Sequence, residues 1–398
     1  MKQNLSTTSI PQPTTDEKAN DTKKILSIKQ VIILCLEMLL AIPLGFALVK
    51  LHLGGIAWIF GGVASGAIVL QGCRILYQYC PKPNRKARKV GMALVGLTVG
   101  ASSSSANLTG LASGIPIFIF LTLFLLLCGS CIGYIYSRLS KTNLLTSMLA
   151  TVPGGVGVMS SIAADYDRNV TLVALVQSLR VTSVVLLIPL IARTSSDYVG
   201  DFINVQTLSV TDKLWSFDLS QLWLLLLALV ITSLVVYLAG LFKLPAAEFF
   251  GALLVGLAFN SLLQWLPVLG DVNFSPPVFI KLLGQMLLGI TIGEYWGDKP
   301  NIGKKAVGYG FVSVAMTIVT GAIAAMLAMQ LTSWDWLTCL LVTAPGGAPE
   351  MILVSLALNH DVEIVTTGHL VRLIAINSSL PLWIFLFRRL DAKLSEPV

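Results

Sequence analysis

The chain alternates between long apolar runs and short polar segments. Apolar runs near the length of a bilayer-crossing helix, about 20 residues, occupy 31–50, 55–72, 90–107, 113–137, 144–164 and 170–193. A polar stretch from Thr194 to Ser220 comes next, and then runs at 221–242, 246–265, 277–296, 305–331, 336–358 and 363–387. The pattern predicts an all-α integral membrane protein: six runs, a linker and six more runs. Two runs carry an interruption, Pro153-Gly154-Gly155 and Pro345-Gly346-Gly347. Proline removes a backbone donor and paired glycines weaken a helix, so each run is expected to be broken there. Broken backbone at membrane depth is tolerated only inside protein or along a watered cavity.

The halves correspond residue by residue. Thr151-Val-Pro-Gly-Gly155 matches Thr343-Ala-Pro-Gly-Gly347 at an offset of 192, and the same offset sets Met159 on Met351, Gln177 on His369, Arg180 on Arg372 and Pro189 on Pro381. Gly91, Gly96, Thr98 and Gly100 match Gly284, Gly289, Thr291 and Gly293 at 193. Two stretches agreeing within one residue point to a duplicated unit. If each broken run re-enters the membrane without crossing it, each unit has five crossings and the copies are inverted. Loop charge favours that arrangement: with the N-terminus cytoplasmic, Lys82, Arg85, Lys86, Arg88, Lys299, Lys304 and Lys305 all lie inside, and the linker with Asp197, Asp201, Asp212 and Asp218 lies outside. The expected layout is a disordered cytoplasmic tail over 1–29, a membrane unit over 30–193, a linker over 194–220, a second unit over 221–388 and a C-terminal tail over 389–398.

Composition agrees with the pattern. Apolar residues make up 55% of the chain and charged residues 12%, about half the charge of a soluble domain, too little to coat a water-soluble globule. The net charge of +7 sits in loops and reads as a topology signal, so no nucleic-acid partner is expected. Polar residues 1–24 lack the apolar core of a secretory signal. Cys128-Gly-Ser-Cys131 lies in an apolar run and reads as packing. The chain has three histidines, His52, His360 and His369, too few for copper or di-iron chemistry. It has neither a phosphate-binding glycine loop ending in Lys-Ser/Thr nor a serine nucleophile elbow. No enzyme activity, cofactor or metal is expected.

The candidate chemistry lies on and behind the two interruptions. Transporters built from inverted repeats bind solute where half-helix ends meet near the midplane, and a half-helix N-terminus suits an anion. The candidate solute-binding residues are therefore Pro153, Gly154, Gly155, Pro345, Gly346 and Gly347. Arg180 and Arg372 join them, because a charge deep in an apolar run costs roughly 2.5–3.5 kcal/mol and demands a partner. That partner is an anion, a half-helix carbonyl end or a carboxylate, so these arginines bind solute or brace the break. Gln177 lies three residues before Arg180 on the same helical face and completes the set. Glu350 and His369 are candidates for proton coupling, and Glu37, Glu248 and Glu294 rank below them. The Gly96/Gly100 and Gly289/Gly293 spacings read as close-packing seams.

These motifs carry a resemblance. Pro345-Gly346-Gly347-Ala348-Pro349-Glu350-Met351 with His369-Leu370-Val371-Arg372 behind it, and Pro153-Gly154-Gly155-Val156-Gly157-Val158-Met159 with Gln177-Ser178-Leu179-Arg180, resemble the AbrB-type duplicated membrane protein family of bacteria over residues 30–390. Family members carry labels such as ammonia monooxygenase or regulator. The resemblance implies a multi-pass protein of the bacterial inner membrane. Val158 departs from the family pattern, in which an acidic residue is usual. The combined expectation is a secondary transporter or permease for a small solute, with an organic anion favoured and protons as the coupling ion. The lipid bilayer is its surrounding and a homo-oligomer its compatible assembly. The alternative is a membrane-embedded sensor or regulator that acts on gene expression through a protein partner.

Overall fold

The computed structural model describes residues 15–51, 53–78, 83–103, 114–194, 219–242, 244, 246–264, 274–295 and 304–395. Among them the structure is helical, without strands. The first half holds α1 (Thr15–Lys50), α2 (Ala57–Tyr77), α3 (Arg85–Ser102), α4 (Ile115–Ser140), α5 (Leu144–Thr151), α6 (Val156–Asp165) and α7 (Val170–Thr194), with a 3-10 turn at Gly54–Ile56 before α2. The second half holds α8 (Leu219–Leu241), α9 (Ala247–Gln264), α10 (Val278–Glu294), α11 (Lys304–Leu331), α12 (Trp336–Thr343), α13 (Ala348–Leu358) and α14 (Val362–Ser395).

Among the described residues, seven helices are long and apolar enough to cross a membrane: Ile28–Lys50, Gly54–Tyr77, Ile115–Ser140, Val170–Ala192, Gln221–Leu241, Lys305–Leu331 and Val362–Asp391. The chain is a multi-pass membrane protein. The remaining runs form shorter helices. α3 and α9 have 18 residues and α10 has 17, about 26 Å of rise at 1.5 Å per residue.

Helix bounds depart from the sequence reading at the chain ends. α1 begins at Thr15, inside the segment read as a disordered tail. α14 runs to Ser395, through most of the segment read as a C-terminal tail. Residues 1–14, most of the 194–220 linker and 396–398 lie outside the described residues.

The helices sort into two bundles, each drawing on both halves. α1, α2 and α3 pack with α8, α9 and α10 to form the first bundle; α4 to α7 pack with α11 to α14 to form the second. The first bundle is held by the glycine seams. A Cβ on Gly96 would strike the Phe249 carbonyl, and one on Gly289 would strike the Ile59 carbonyl, so α3 lies directly on α9 and α10 directly on α2. The second bundle surrounds the two interrupted helices. Between the bundles, α13 packs on α3 and on the 3-10 turn, and α7 on α10.

Candidate functional site

The half-helices that lead into the two interruptions are built the same way. Asn143 caps α5 by accepting the Leu145 and Thr146 amides, and Asp335 caps α12 by accepting those of Leu337 and Thr338. α5 and α12 each run eight residues and end in an extended residue, Val152 (ψ 132°) or Ala344 (ψ 131°). The chain turns through the Pro-Gly-Gly and restarts at α6 or α13. Gly155 has φ 81°, a left-handed conformation that glycine adopts without strain. Met159 folds over Gly154, and Met351 over Gly346. Thr151 Oγ1 bridges to the Gly129 carbonyl of α4 (3.1 Å), and Thr343 Oγ1 to the Gly321 carbonyl of α11 (3.0 Å).

The buried arginines meet the carbonyl ends of the first half-helices. Arg180 donates to the Thr151 carbonyl at 3.1 Å and to Gln177 Oε1 at 2.6 Å. Gln177 Nε2 donates in turn to the Leu149 and Val152 carbonyls at 2.7 and 3.0 Å. Arg372 donates to the Ala344 carbonyl at 2.9 Å, to the Gly346 carbonyl at 3.3 Å and to His369 Nδ1. His369 Nε2 lies 2.9 Å from the Leu341 carbonyl. A carbonyl can only accept, so Nε2 carries the proton and Nδ1 accepts from Arg372. His369 thus does what Gln177 does: one donor to the half-helix end and one acceptor to the arginine. Of the partners an intramembrane arginine could take, the structure supplies the carbonyl end.

These ends carry about half a negative charge each, less than the full positive charge set against them. Arg180 and Arg372 are buried, at 1% and 5% exposure; the charge of Arg180 acts on Arg372, and that of Glu350 acts on Arg180. Among the described residues neither arginine forms a salt bridge with a carboxylate. Arg180 Nε has no hydrogen-bond partner. Each guanidinium therefore stands against a partial charge smaller than its own, and Arg180 retains an open donor among the described residues.

Glu350 takes a different partner from either candidate arginine. It stands in the first turn of α13, where the helix N-terminus favours an acid. Its Oε1 accepts from Arg88 of α3 at 2.8 Å, and its Oε2 has no hydrogen-bond partner among the described residues. Arg88 also donates to the Tyr295 hydroxyl at 2.7 Å, at the end of α10. This ion pair ties the second bundle to the first. Sequence reading counts Arg88 as loop charge and misses this role. Asn84, which caps α3 by accepting the Lys86 and Ala87 amides, is the signal that extends the helix back to it.

The flanking cavities are apolar. One is lined by residues including Met148, Val152, Ile376 and Leu380; the other by residues including Leu340, Ala344, Val184 and Ile188. These four pairs are related by the offset of 192. Neither cavity reaches Arg180 or Arg372.

At the outer end of α12, Asp335, His360 and Asp361 present potential ligand atoms within 4.8 Å of one another. Burial pushes the Asp335 carboxyl up, but hydrogen bonds from Thr338 and His360 outweigh it and hold the group below its usual range. Because Asp335 is already the cap of α12, this cluster braces the half-helix. Cys128 and Cys131 are free thiols.

Two known proteins are similar to this chain over most of its length. An uncharacterised Bacillus subtilis (strain 168) protein, YhjN, is 28% identical over 306 residues, covering 75% of this chain and 78% of its own. An Escherichia coli (strain K12) protein named "Putative regulator AbrB" is 25% identical over 301 residues, covering 73% of this chain and 80% of its own. No solved structure matches. The family model described as transition state regulatory protein AbrB matches residues 58–388, and the chain belongs to that family.

Proposed function

We propose that the protein is a secondary transporter for a small organic anion, built from two inverted repeats whose interrupted segments cross at the solute site. One observation carries the reading: two buried guanidiniums stand one behind each interruption, the charge of Arg180 acts on Arg372, and neither forms a salt bridge among the described residues. A low-dielectric site with unbalanced positive charge attracts an anion. The Arg180 and Arg372 side chains, the Pro153-Gly154-Gly155 turn and the Pro345-Gly346-Gly347 turn contact the solute, while Gln177 and His369 hold the arginines in place. Of the two coupling candidates Glu350 is the stronger, since one of its oxygens is free and a proton would release Arg88. His369 is the weaker one, because protonating Nδ1 would set a cation against Arg372. The matched half-helix lengths and the paired cavities support duplication, and loop charge supports inversion with the N-terminus inside the bacterial inner membrane.

The test is charge movement in proteoliposomes on a solid support, with small carboxylates presented at two pH values. Wild type is expected to give a transient with at least one carboxylate, and Arg372→Gln, shown monodisperse, none. Equal transients from both would overturn the reading.

A regulatory reading has one observation in its favour, the name of the Escherichia coli relative. It requires a cytoplasmic protein partner. Capture of one that survives deletion of residues 1–24, together with silence in the transport assay, would favour it.

A further inference from the structure

Glu37 and Glu294 lie in the first bundle, away from the crossing. Glu37 comes from α1 and is fully buried, and among the described residues neither of its carboxyl oxygens has a hydrogen-bond partner. Glu294 ends α10 at 4% exposure and accepts the Asn84 amide through Oε2 at 2.8 Å. Both stand beside α2, which packs against α1 and against α10. Its small residues bring them close: Gly61 lies against Gly45 and the Ala41 carbonyl of α1, and Ser65, one turn on, donates to the Glu37 carbonyl. On its other side Gly66 lies against Ile290, one turn before Glu294. The charge of Glu294 acts on Glu37.

No cation among the described residues balances this pair. From α2 the group facing Glu37 is the Cys73 thiol, and from α10 it is Glu294. Tyr295 faces Glu294. Arg88 is the guanidinium near that end of the bundle, and it is engaged by Glu350 and Tyr295. Lys281 sits at the opposite end of α10. Two buried carboxylates cannot both stay ionised at close range. Their environments also differ. Glu294 is stabilised as an anion by a backbone N–H, whereas Glu37 receives no donor at all. The matching position to Glu294 in the first half is Ala101, at the offset of 193, so the feature belongs to one side only.

We propose that Glu37 is a proton-binding site, carrying one exchangeable proton beside the Glu294 carboxylate. A hard metal cation would want six or more oxygen ligands, and the pair offers fewer, so a proton is the better occupant. Under the transporter reading this site supplies the coupling ion, and to that extent it rests on that reading.

Infrared difference spectroscopy of the purified protein, titrated with pH, reads the carboxylic-acid C=O band directly and needs no solute. Absence of transport and absence of the proton site therefore show up separately. Wild type is expected to show a protonated-carboxyl band near neutral pH. Glu37→Gln should lose it, Glu350→Gln should keep it, and Glu294→Gln should keep it but let it titrate away at lower pH, since the neighbouring charge is gone. An unchanged band in Glu37→Gln would overturn the proposal. So would loss of the wild-type band on adding sodium at constant pH, which would make the occupant a metal cation. If Glu37→Gln fails to fold, Glu294→Gln decides: a titration identical to wild type overturns the pairing.

Discussion

The two interrupted segments share a brace and differ in the half-helix beyond it. In both, a short capped half-helix ends on an arginine that is itself held by a donor–acceptor side chain three residues earlier. Past the break they part. All of α13 is buried, from Ala348 to Leu358, whereas α6 buries only Val156, Met159 and Ala163. α13 carries Glu350 and is pinned to the first bundle through Arg88; the matching residue in α6 is Val158, half-buried and unable to pair. The position matching Arg88 is Lys281, so the second half supplies a cation and the first half no acid to receive it. The brace is thus common to both segments, whereas the link between the bundles through an ion pair is made by the second alone.

The comparison breaks most severely at the arginines. Arg372→Gln or Arg180→Gln leaves buried carbonyls without their donor, at about 1–3 kcal/mol for each unmet group. Either variant is expected to lower the melting temperature in detergent by several degrees, and similarly for both if the braces are equivalent. A large loss at one and none at the other would show that the braces are not equivalent.

Glu350→Gln should cost less, about 1–3 kcal/mol, because Arg88 is 26% exposed and keeps Tyr295. The charge swap Arg88→Glu with Glu350→Arg should recover part of the loss; no recovery would show that Arg88 and Glu350 act independently.

His369 sharpens the comparison further. If it only reproduces the two bonds of Gln177, His369→Gln should fall within about 1 kcal/mol of wild type, while His369→Leu should cost about 1–3 kcal/mol. A His369→Gln variant as damaged as His369→Leu would mean the imidazole has a role beyond the brace.

The smallest effect is at the outer caps. The Asp335 carboxyl is held below its usual range, so its stabilising contribution is present above that range and fades as pH falls through the folded value. Asp335→Ala should cost about 1 kcal/mol at neutral pH, and the gap to wild type should narrow under acid, as read by melting curves at stepped pH.

Much of this architecture is legible in the sequence. Apolar run length locates the helices, and Pro-Gly-Gly locates both breaks to within a few residues. The spacing of Gln177 to Arg180 and of His369 to Arg372 places each pair on one face. The burial contrast between α6 and α13 is not legible, because it arises from packing between halves far apart in the chain. Arg88 is hidden for the same reason: its partner is 262 residues away, and a positive charge near a run end reads first as topology. Glu37 ranks low by sequence because its isolation, which suggests little there, becomes informative once it is fully buried with both oxygens unmet.

The central proposal is that the two buried arginines behind the interruptions make an anion site. The melting temperature of the solubilised protein, titrated with small carboxylates, tests it most directly. A ligand at a hundredfold its dissociation constant stabilises by about 2.7 kcal/mol. The expected result is a saturable rise in wild type with at least one carboxylate, and no rise above their own baselines in Arg180→Gln and Arg372→Gln. A rise of equal size in those variants, or none in wild type across the panel, would contradict it.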